Sequence, residues 1–336
     1  MDYGLVLPSL GWDANRDGII AAVELAREHG FTDVWVTDHL LIDHAGADDY
    51  GRIYEAVTTL AWIAGFSREI RLGASVIVVP MRNAVVLAKE LATLDALSEG
   101  RLIAGFGGGW NEAEFANVGV KEQFHVRGAY VDETIALCRH LWSGSREPFP
   151  GRFHEFDDFN FEPLPAQGAQ LPIWLGGRDE RALRRAGRLA DTYHASATAP
   201  KAYEPRIPVI RSAAEAAGRP APRLSARARV ELDAGAESFY TIHGSAADVA
   251  AEIRAFAKLG VDHLALAFPP RDSAGLRVAV QRFMDEVVPL VLGPAVAVRR
   301  ERAVVSARAG AGPCAGSPAW IDAGRRDRSR DERHAG

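Results

Sequence analysis

The chain has 336 residues, 48% of them hydrophobic and 25% charged, a composition that excludes both a wholly disordered and a collagen-like protein. Its net charge of −5 is unevenly divided: residues 293–336 carry nine arginines against five acids, which leaves residues 1–292 near −9, the wrong sign for a nucleic-acid-binding face. The longest apolar run, Leu72 to Met81, is about half the ~20 residues of a membrane span. The start Met1-Asp2-Tyr3 has no signal-peptide pattern, and Cys138 and Cys314 form neither a disulfide scaffold nor a metal spacing, so a cytoplasmic protein is expected.

Hydrophobic periodicity predicts an extended run from Tyr3 to Leu7, a helix from Asp17 to His29 closed by Gly30, and a second strand at Val34-Trp35-Val36. The alternation continues with a helix over Tyr54 to Phe66, a strand over Ile70 to Val79, a helix over Val85 to Ala96, a strand over Arg101 to Gly105 and a helix over Tyr130 to Trp142. It resumes with a strand at Pro172 to Leu175, a helix at Glu180 to Ala186, a strand at Asp191 to Ala195 and a helix at Ala202 to Ala217. A strand at Leu224 to Leu232, a helix at Ala246 to Leu259, a strand at His263 to Phe268 and a helix at Ala274 to Val288 close the series. Eight strand–helix units over about 290 residues predict an α/β protein with a (β/α)8 TIM barrel over residues 1–292.

Between the fourth helix and the fifth strand, Ser143 to Pro172 contains five prolines and the series Phe153, Phe156, Phe159, Phe161, which predicts an inserted extended excursion. It either covers the barrel mouth or forms a surface hairpin that hides its own aromatics. Residues 293–336, rich in Arg, Ala and Gly without apolar period, are expected to be a disordered tail.

In such a barrel the chemistry lies just beyond the carboxyl ends of the strands. Four clusters fall there. Thr37-Asp38-His39 sets a carboxylate beside an imidazole, a pairing suited to proton transfer near neutral pH or, more plainly, to a surface turn. Ala74-Ser75-Val76 places small residues within a β-branched run, where backbone approaches a ligand closely. Gly105-Phe106-Gly107-Gly108-Gly109-Trp110-Asn111-Glu112 offers backbone to a planar or phosphorylated ligand, and Trp110 at the third glycine position excludes a dinucleotide fingerprint. Gly176-Gly177 leads into a helix whose amino end favours an anion such as phosphate. His194 ends a strand and is expected to reach the mouth, whereas His44, His125, His154, His243 and His263 are expected at the surface or in loops. No histidine spacing suits a metal, and none is expected.

With these clusters in order, the chain resembles the luciferase-like monooxygenase superfamily, and within it the oxidoreductases that use the deazaflavin coenzyme F-420. The resemblance covers about residues 1 to 290 and rests on the stretches VWVTDHLL, RLGASVIVVPMRNAVVLAKELATLDALSEGRLIAGFGGGWNEAEF, RGAYVDETIALCRHLWSG, LPIWLGGRDERALRRAGRLADTYH and LGVDHLALAF. It implies a flavin-type ring at the barrel mouth, supported by a cis non-proline peptide that maps to Ser75-Val76. It further implies that His39 is catalytic and that Asp38 contacts the cofactor. Gly107, Gly108, Gly109 and Asn111 would line the ring and its ribityl chain, and Gly176 and Gly177 the distal chain or phosphate. The sugar-phosphate dehydrogenases of the class carry a glutamate where Gly109-Trp110 stand here, so the resemblance does not extend to that activity. The expected reaction is hydride transfer between F-420 and a small-molecule substrate. The alternatives are an FMN-dependent monooxygenase of the alkanesulfonate monooxygenase or luciferase type and a flavin-binding barrel without catalysis. A homodimer is expected, with no nucleic acid and no membrane as partner.

Overall fold

Eight parallel strands close on themselves in the computed structural model, which describes residues 1–234, 240–269 and 272–293. Residues Met1–Val291 form one compact unit. The expected disordered tail beyond Gly293 lies outside the described residues, as does Cys314.

The first half of the barrel runs β1 (Asp2–Val6), α1 (Arg16–Glu28), β2 (Asp33–Val36), α2 (Ala47–Tyr50), α3 (Ala56–Phe66), β3 (Arg71–Ala74), β4 (Ile77–Val78), α4 (Ala84–Leu97), β5 (Leu102–Gly107), α5 (Glu112–Asn117) and α6 (Gln123–Trp142). The excursion carries β6 (Phe149–Pro150) and β7 (Glu155–Phe156). The second half follows with β8 (Ile173–Leu175), α7 (Glu180–Leu189), β9 (Thr192–Ser196), α8 (Pro200–Tyr203), α9 (Arg206–Ala216), β10 (Arg223–Leu232), β11 (Thr241–Gly244), α10 (Ala246–Lys258), β12 (Val261–Ala267), α11 (Ser273–Arg282) and α12 (Val288–Leu292).

The barrel order is β1, β2, β3, β5, β8, β9, β10, β12, with β12 returning to β1 through Asp2↔His263 to Leu5↔Leu266. The (β/α)8 expectation is met. Three local features differ from it. The run Ile70 to Val79 is two strands, β3 and β4, separated by a cis peptide between Ser75 and Val76. A further parallel strand, β11, pairs with the far end of β10 from Arg229↔Thr241 onward. The short helix α5 precedes α6, whose first two turns are only partly buried or exposed before the buried series begins at Tyr130.

Caps explain several boundaries. The Asn15 and Asn83 side chains accept amides in the first turns of α1 and α4, and Ser245 with Asp248 forms a capping box at α10. The excursion takes the hairpin form. Phe149 and Phe156 stack at 5.4 Å, Phe159 meets Phe156 edge-on at 4.8 Å, and His140 of α6 lies against all three. From α6 the Glu133 carboxylate accepts the backbone amides of Arg152, Phe153 and His154, which docks the hairpin on that helix.

At mid-height the interior is filled by Trp35, which packs on Trp174 at 4.9 Å and stacks on His194 at 5.0 Å. Gly4 and Gly73, on the two strands flanking β2, make the room: a Cβ at Gly4 would overlap Asp33 and Trp35, and one at Gly73 would overlap the Trp35 ring. A packed barrel has no slack for either, so this layer depends on glycines on both sides of one tryptophan.

Candidate active site

The chain leaves β2 through Thr37, Asp38 and His39, all buried. His39 Nδ1 lies 2.7 Å from Glu114 Oε2, and the other Glu114 oxygen accepts the amides of Leu40 at 2.6 Å and Leu41 at 3.2 Å. Glu114, entirely buried, comes from α5, where Asn111 caps the helix by accepting the Glu114 amide. Burial works to raise the Glu114 carboxyl, but the hydrogen bond and charge of His39, with the two amides, outweigh it and hold the group below the usual glutamate range. A carboxylate on Nδ1 keeps the imidazole proton there and leaves Nε2 as an acceptor. That nitrogen has no hydrogen-bond partner among the described residues. The ring lies 4.2 Å from Tyr50 and 6.1 Å, edge-on, from Trp110, itself 61% exposed.

Asp38 faces the protein. Its Oδ2 accepts the Val78 amide at 2.9 Å and its Oδ1 accepts Arg82 Nη2 at 2.7 Å; the same Arg82 nitrogen reaches Glu55 at 2.8 Å. Burial pushes the Asp38 carboxyl up, against the pull of Arg82 and the Val78 amide. With both oxygens so occupied, Asp38 fixes β4 immediately after the cis peptide.

The cis peptide sits between these elements. The Ser75 carbonyl accepts Arg227 Nη1 at 2.6 Å, the Ser75 amide donates to Val36 O, and Arg227 Nη2 reaches Thr37 Oγ1 at 2.9 Å, so the first two clusters are tied by one guanidinium from β10. The glycines behind them divide by role. A Cβ at Gly105 would fall on the Ala74 carbonyl oxygen, and one at Gly107 would overlap Val76, so both let β5 close against the bulge. Gly109, at φ +73°, turns the chain under Val78 and Phe115. A Cβ at Gly108 would meet only Arg127, at 3.7 Å.

Asn111 spends its carbonyl on the α5 cap and its amide on Asp43 at 2.9 Å, which makes it a holder of the loop. At the fourth cluster a Cβ on Gly176 would stand 3.6 Å from Val76, beside the same bulge. Gly177, at φ +134°, presents its carbonyl to the Tyr193 hydroxyl at 2.8 Å. Asp179 caps α7 by accepting the Ala182 amide, so this helix end already carries a carboxylate. Gly176 beside Val76 and the open position at Gly108 each expose backbone with little side-chain mass, which suits a flat ring.

Two histidines depart from expectation. His194 does not reach the mouth: it is buried in the barrel interior between Ser75 and Ser225. His263 is not at the surface but equally buried, between Ser225 and Asp33. Both belong to strands whose two faces are covered, where alternation gives no polarity signal. Glu114, the partner of His39, carries no sequence signal of that role: Asn111-x-x-Glu114 marks a helix start, but the carboxylate turns to His39, Leu40 and Leu41 rather than back to the Asn111 amide.

The family model described as luciferase-like monooxygenase matches residues 4–238. The chain belongs to that family. As such it is an enzyme of the oxidoreductase class. It is 30% identical to an F-420-dependent glucose-6-phosphate dehydrogenase of Nakamurella multipartita over 78% of this chain and 73% of that one. Two solved structures share the fold: the coenzyme F-420-dependent tetrahydromethanopterin reductase of Methanopyrus kandleri (19% identity, TM-score 0.70, covering 86% of this chain and 98% of that one) and a type II Baeyer–Villiger monooxygenase from Pseudomonas putida with FMN (16%, TM-score 0.72, 88% and 99%). No described helix is long and apolar enough to cross a membrane.

Proposed function

We propose that this oxidoreductase binds coenzyme F-420 at the carboxyl ends of its strands and transfers hydride between it and a small organic alcohol or carbonyl compound, with His39 handling the proton. The observation that carries the reading is His39 held through Nδ1 by the buried Glu114, its Nε2 without a hydrogen-bond partner among the described residues, one residue after the Asp38 that ties to β4 just past the glycine-faced cis peptide. The coenzyme supplies a ring carbon that accepts or gives up hydride. Ser75, Val76, Gly107, Gly108 and Gly109 would support the ring, with Gly176 and Gly177 nearer its tail and Asp38 and Asn111 stiffening β4 and the loop. His39 Nε2 takes the proton of a substrate hydroxyl as hydride leaves the carbinol carbon, and returns it in the reverse direction. Glu114 balances the imidazolium that forms, and Tyr50 and Trp110 shield it from water. The exposed Leu41 and Trp110 give the entrance an apolar lip, suited to a substrate with an apolar body. The Nakamurella relative supports the choice of F-420.

The test is an absorbance titration of the purified protein with F-420 and, separately, with FMN. At least tenfold tighter binding of F-420 is expected. Tighter FMN binding accompanied by oxygen consumption assigns the chain to the monooxygenases instead.

A further inference from the structure

A continuous chain of polar side chains crosses the barrel interior. Asp33 Oδ1 lies 2.9 Å from His263 Nε2, His263 Nδ1 lies 2.7 Å from Ser225 Oγ, Ser225 Oγ lies 2.8 Å from His194 Nδ1, and His194 Nε2 lies 2.8 Å from Ser75 Oγ. All five residues are buried, and they come from β2, β12, β10, β9 and the bulge. Trp35 stacks on His194, and Trp174 meets His263 edge-on at 5.0 Å, so the path is walled by indole.

We propose that this chain is a proton relay, storing one proton at the His263–Asp33 pair and passing it through Ser225, His194 and the Ser75 hydroxyl to the ligand bound at the barrel mouth. The argument rests on which residue types stand at each link. A relay requires every interior member to donate on one side and accept on the other, and to exchange those roles; neutral imidazole and hydroxyl do so, whereas amide, ammonium and guanidinium groups do not. All three interior members are of the first kind. A purely structural network has no need of that uniformity, and an apolar filling of this layer would avoid the desolvation cost.

The two states balance. In the loaded state His263 carries both ring protons against ionised Asp33, donates through Nδ1 to Ser225, and Ser225 donates to His194 Nδ1. His194 then donates through Nε2 to Ser75, whose own proton is free for an acceptor in the mouth. When that proton leaves, Ser75 takes the one on His194 Nε2, His194 takes that of Ser225 at Nδ1, and Ser225 takes that of His263 Nδ1. One proton has moved out, the three bonds from His263 Nδ1 to the Ser75 hydroxyl have reversed polarity while His263 Nε2 still donates to Asp33, and His194 has changed tautomer without becoming charged. The acceptor is an atom of the bound ligand that gains negative charge as hydride is delivered to it; the return of hydride reloads the chain.

The surrounding charges suit this. Burial first, then the nearby His263 and Arg227, lower His194 well below the ordinary histidine range, so it stays neutral in both states. Burial works against ionised Asp33, but His263, Thr32 and Trp35 overcome it and hold the carboxyl down. Arg71 on β3, with Asp2 and Arg223 beside it, faces Asp33, and Arg227 on β10 faces Ser75 and His194; Asp262 pairs outward with Arg223.

The reading that Ser75 lies under the cofactor supplies the acceptor, but the relay itself is measurable without cofactor. Protein with 15N-labelled imidazoles is titrated by NMR, with His194→Gln and His263→Gln variants to assign the signals. As pH rises, His263 should lose a proton and His194 should shift from the Nε2–H to the Nδ1–H tautomer at one shared midpoint. Ser225→Ala should uncouple the two and Ser225→Thr restore them. Separate midpoints in the wild type, a fixed His194 tautomer, or coupling that survives Ser225→Ala overturns the relay. In the loaded enzyme Ser225→Ala should lower kcat by about 10² with KM unchanged. Failure to bind F-420 defeats the cofactor reading and leaves the NMR result standing.

Discussion

Glu114→Gln alters one atom at the point where the loop after β2 meets α5. In the wild type, one carboxylate oxygen takes His39 Nδ1 at 2.7 Å and the other takes two amides. Glutamine keeps an oxygen for Leu40 and Leu41 but turns an NH2 toward His39, which can bond it only by accepting at Nδ1. The imidazole proton then moves to Nε2, the nitrogen that has to accept. Two separate effects follow. Stability falls by about 1.5–3 kcal/mol, the worth of a charge-assisted hydrogen bond, so the fold persists. Turnover falls by about 10² or more, which is ~2.7 kcal/mol of transition-state stabilisation, because the base is in the wrong tautomer. The tautomer is read directly from the His39 15N shifts and the rate from the absorbance of F-420 at saturating substrate. A variant that shows Nε2–H and yet turns over within threefold of wild type refutes the role given to His39.

His39→Ala should keep F-420 affinity within a few fold while turnover drops by about 10²; loss of the coenzyme with turnover intact at saturation would make the residue a binding group. Gly105→Ala should fail to fold or melt far lower, since its Cβ lands on the Ala74 carbonyl, whereas Gly108→Leu should keep its melting temperature and lose coenzyme binding; the reverse order would contradict the division of the glycine loop. Arg82→Ala leaves Asp38 buried without its cation and should cost about 3–5 kcal/mol in denaturant unfolding, with Arg82→Ala/Asp38→Asn recovering part of it. Because Glu114 is held below its ordinary value, its share of stability is present above about pH 4.3 and is lost as pH falls through the lower folded value. Glu114→Gln should therefore flatten the acid side of the stability profile, and an unchanged acid slope would count against the pair.

The barrel was legible because each strand is a short apolar run followed by a helix of regular period, and the first strand and helix already show it. That residues just past the strand ends come together follows from the strand count: Arg227 reaches both Thr37 and the Ser75 carbonyl, and Gly107 packs on Val76. What escaped were pairings created by closure. Asp33, His194, Ser225 and His263 lie far apart in sequence, each inside an apolar strand, and only the circular order of strands brings them together. Glu114 reads locally as a helix-start acid, and nothing within its own segment shows that its carboxylate meets a histidine 75 positions earlier. The split of the third strand at Ser75-Val76 came from resemblance, since no side-chain pattern marks a cis bond.

Closure also imposes an order on synthesis. β1 leaves the ribosome before every other strand of the barrel, yet one of its two edges is satisfied only by β12, some 260 residues later. Until then a strand of apolar residues presents open amides and carbonyls, the condition under which nascent chains pair with the wrong neighbour. The same late strand brings His263, so Asp33 waits in a closing interior without its imidazole until the final strand arrives. A barrel stalled or truncated before β12 therefore holds at its centre a carboxylate that lacks its imidazole and keeps only the hydrogen bonds of Thr32 and Trp35 against burial, which disfavours closing seven strands around it.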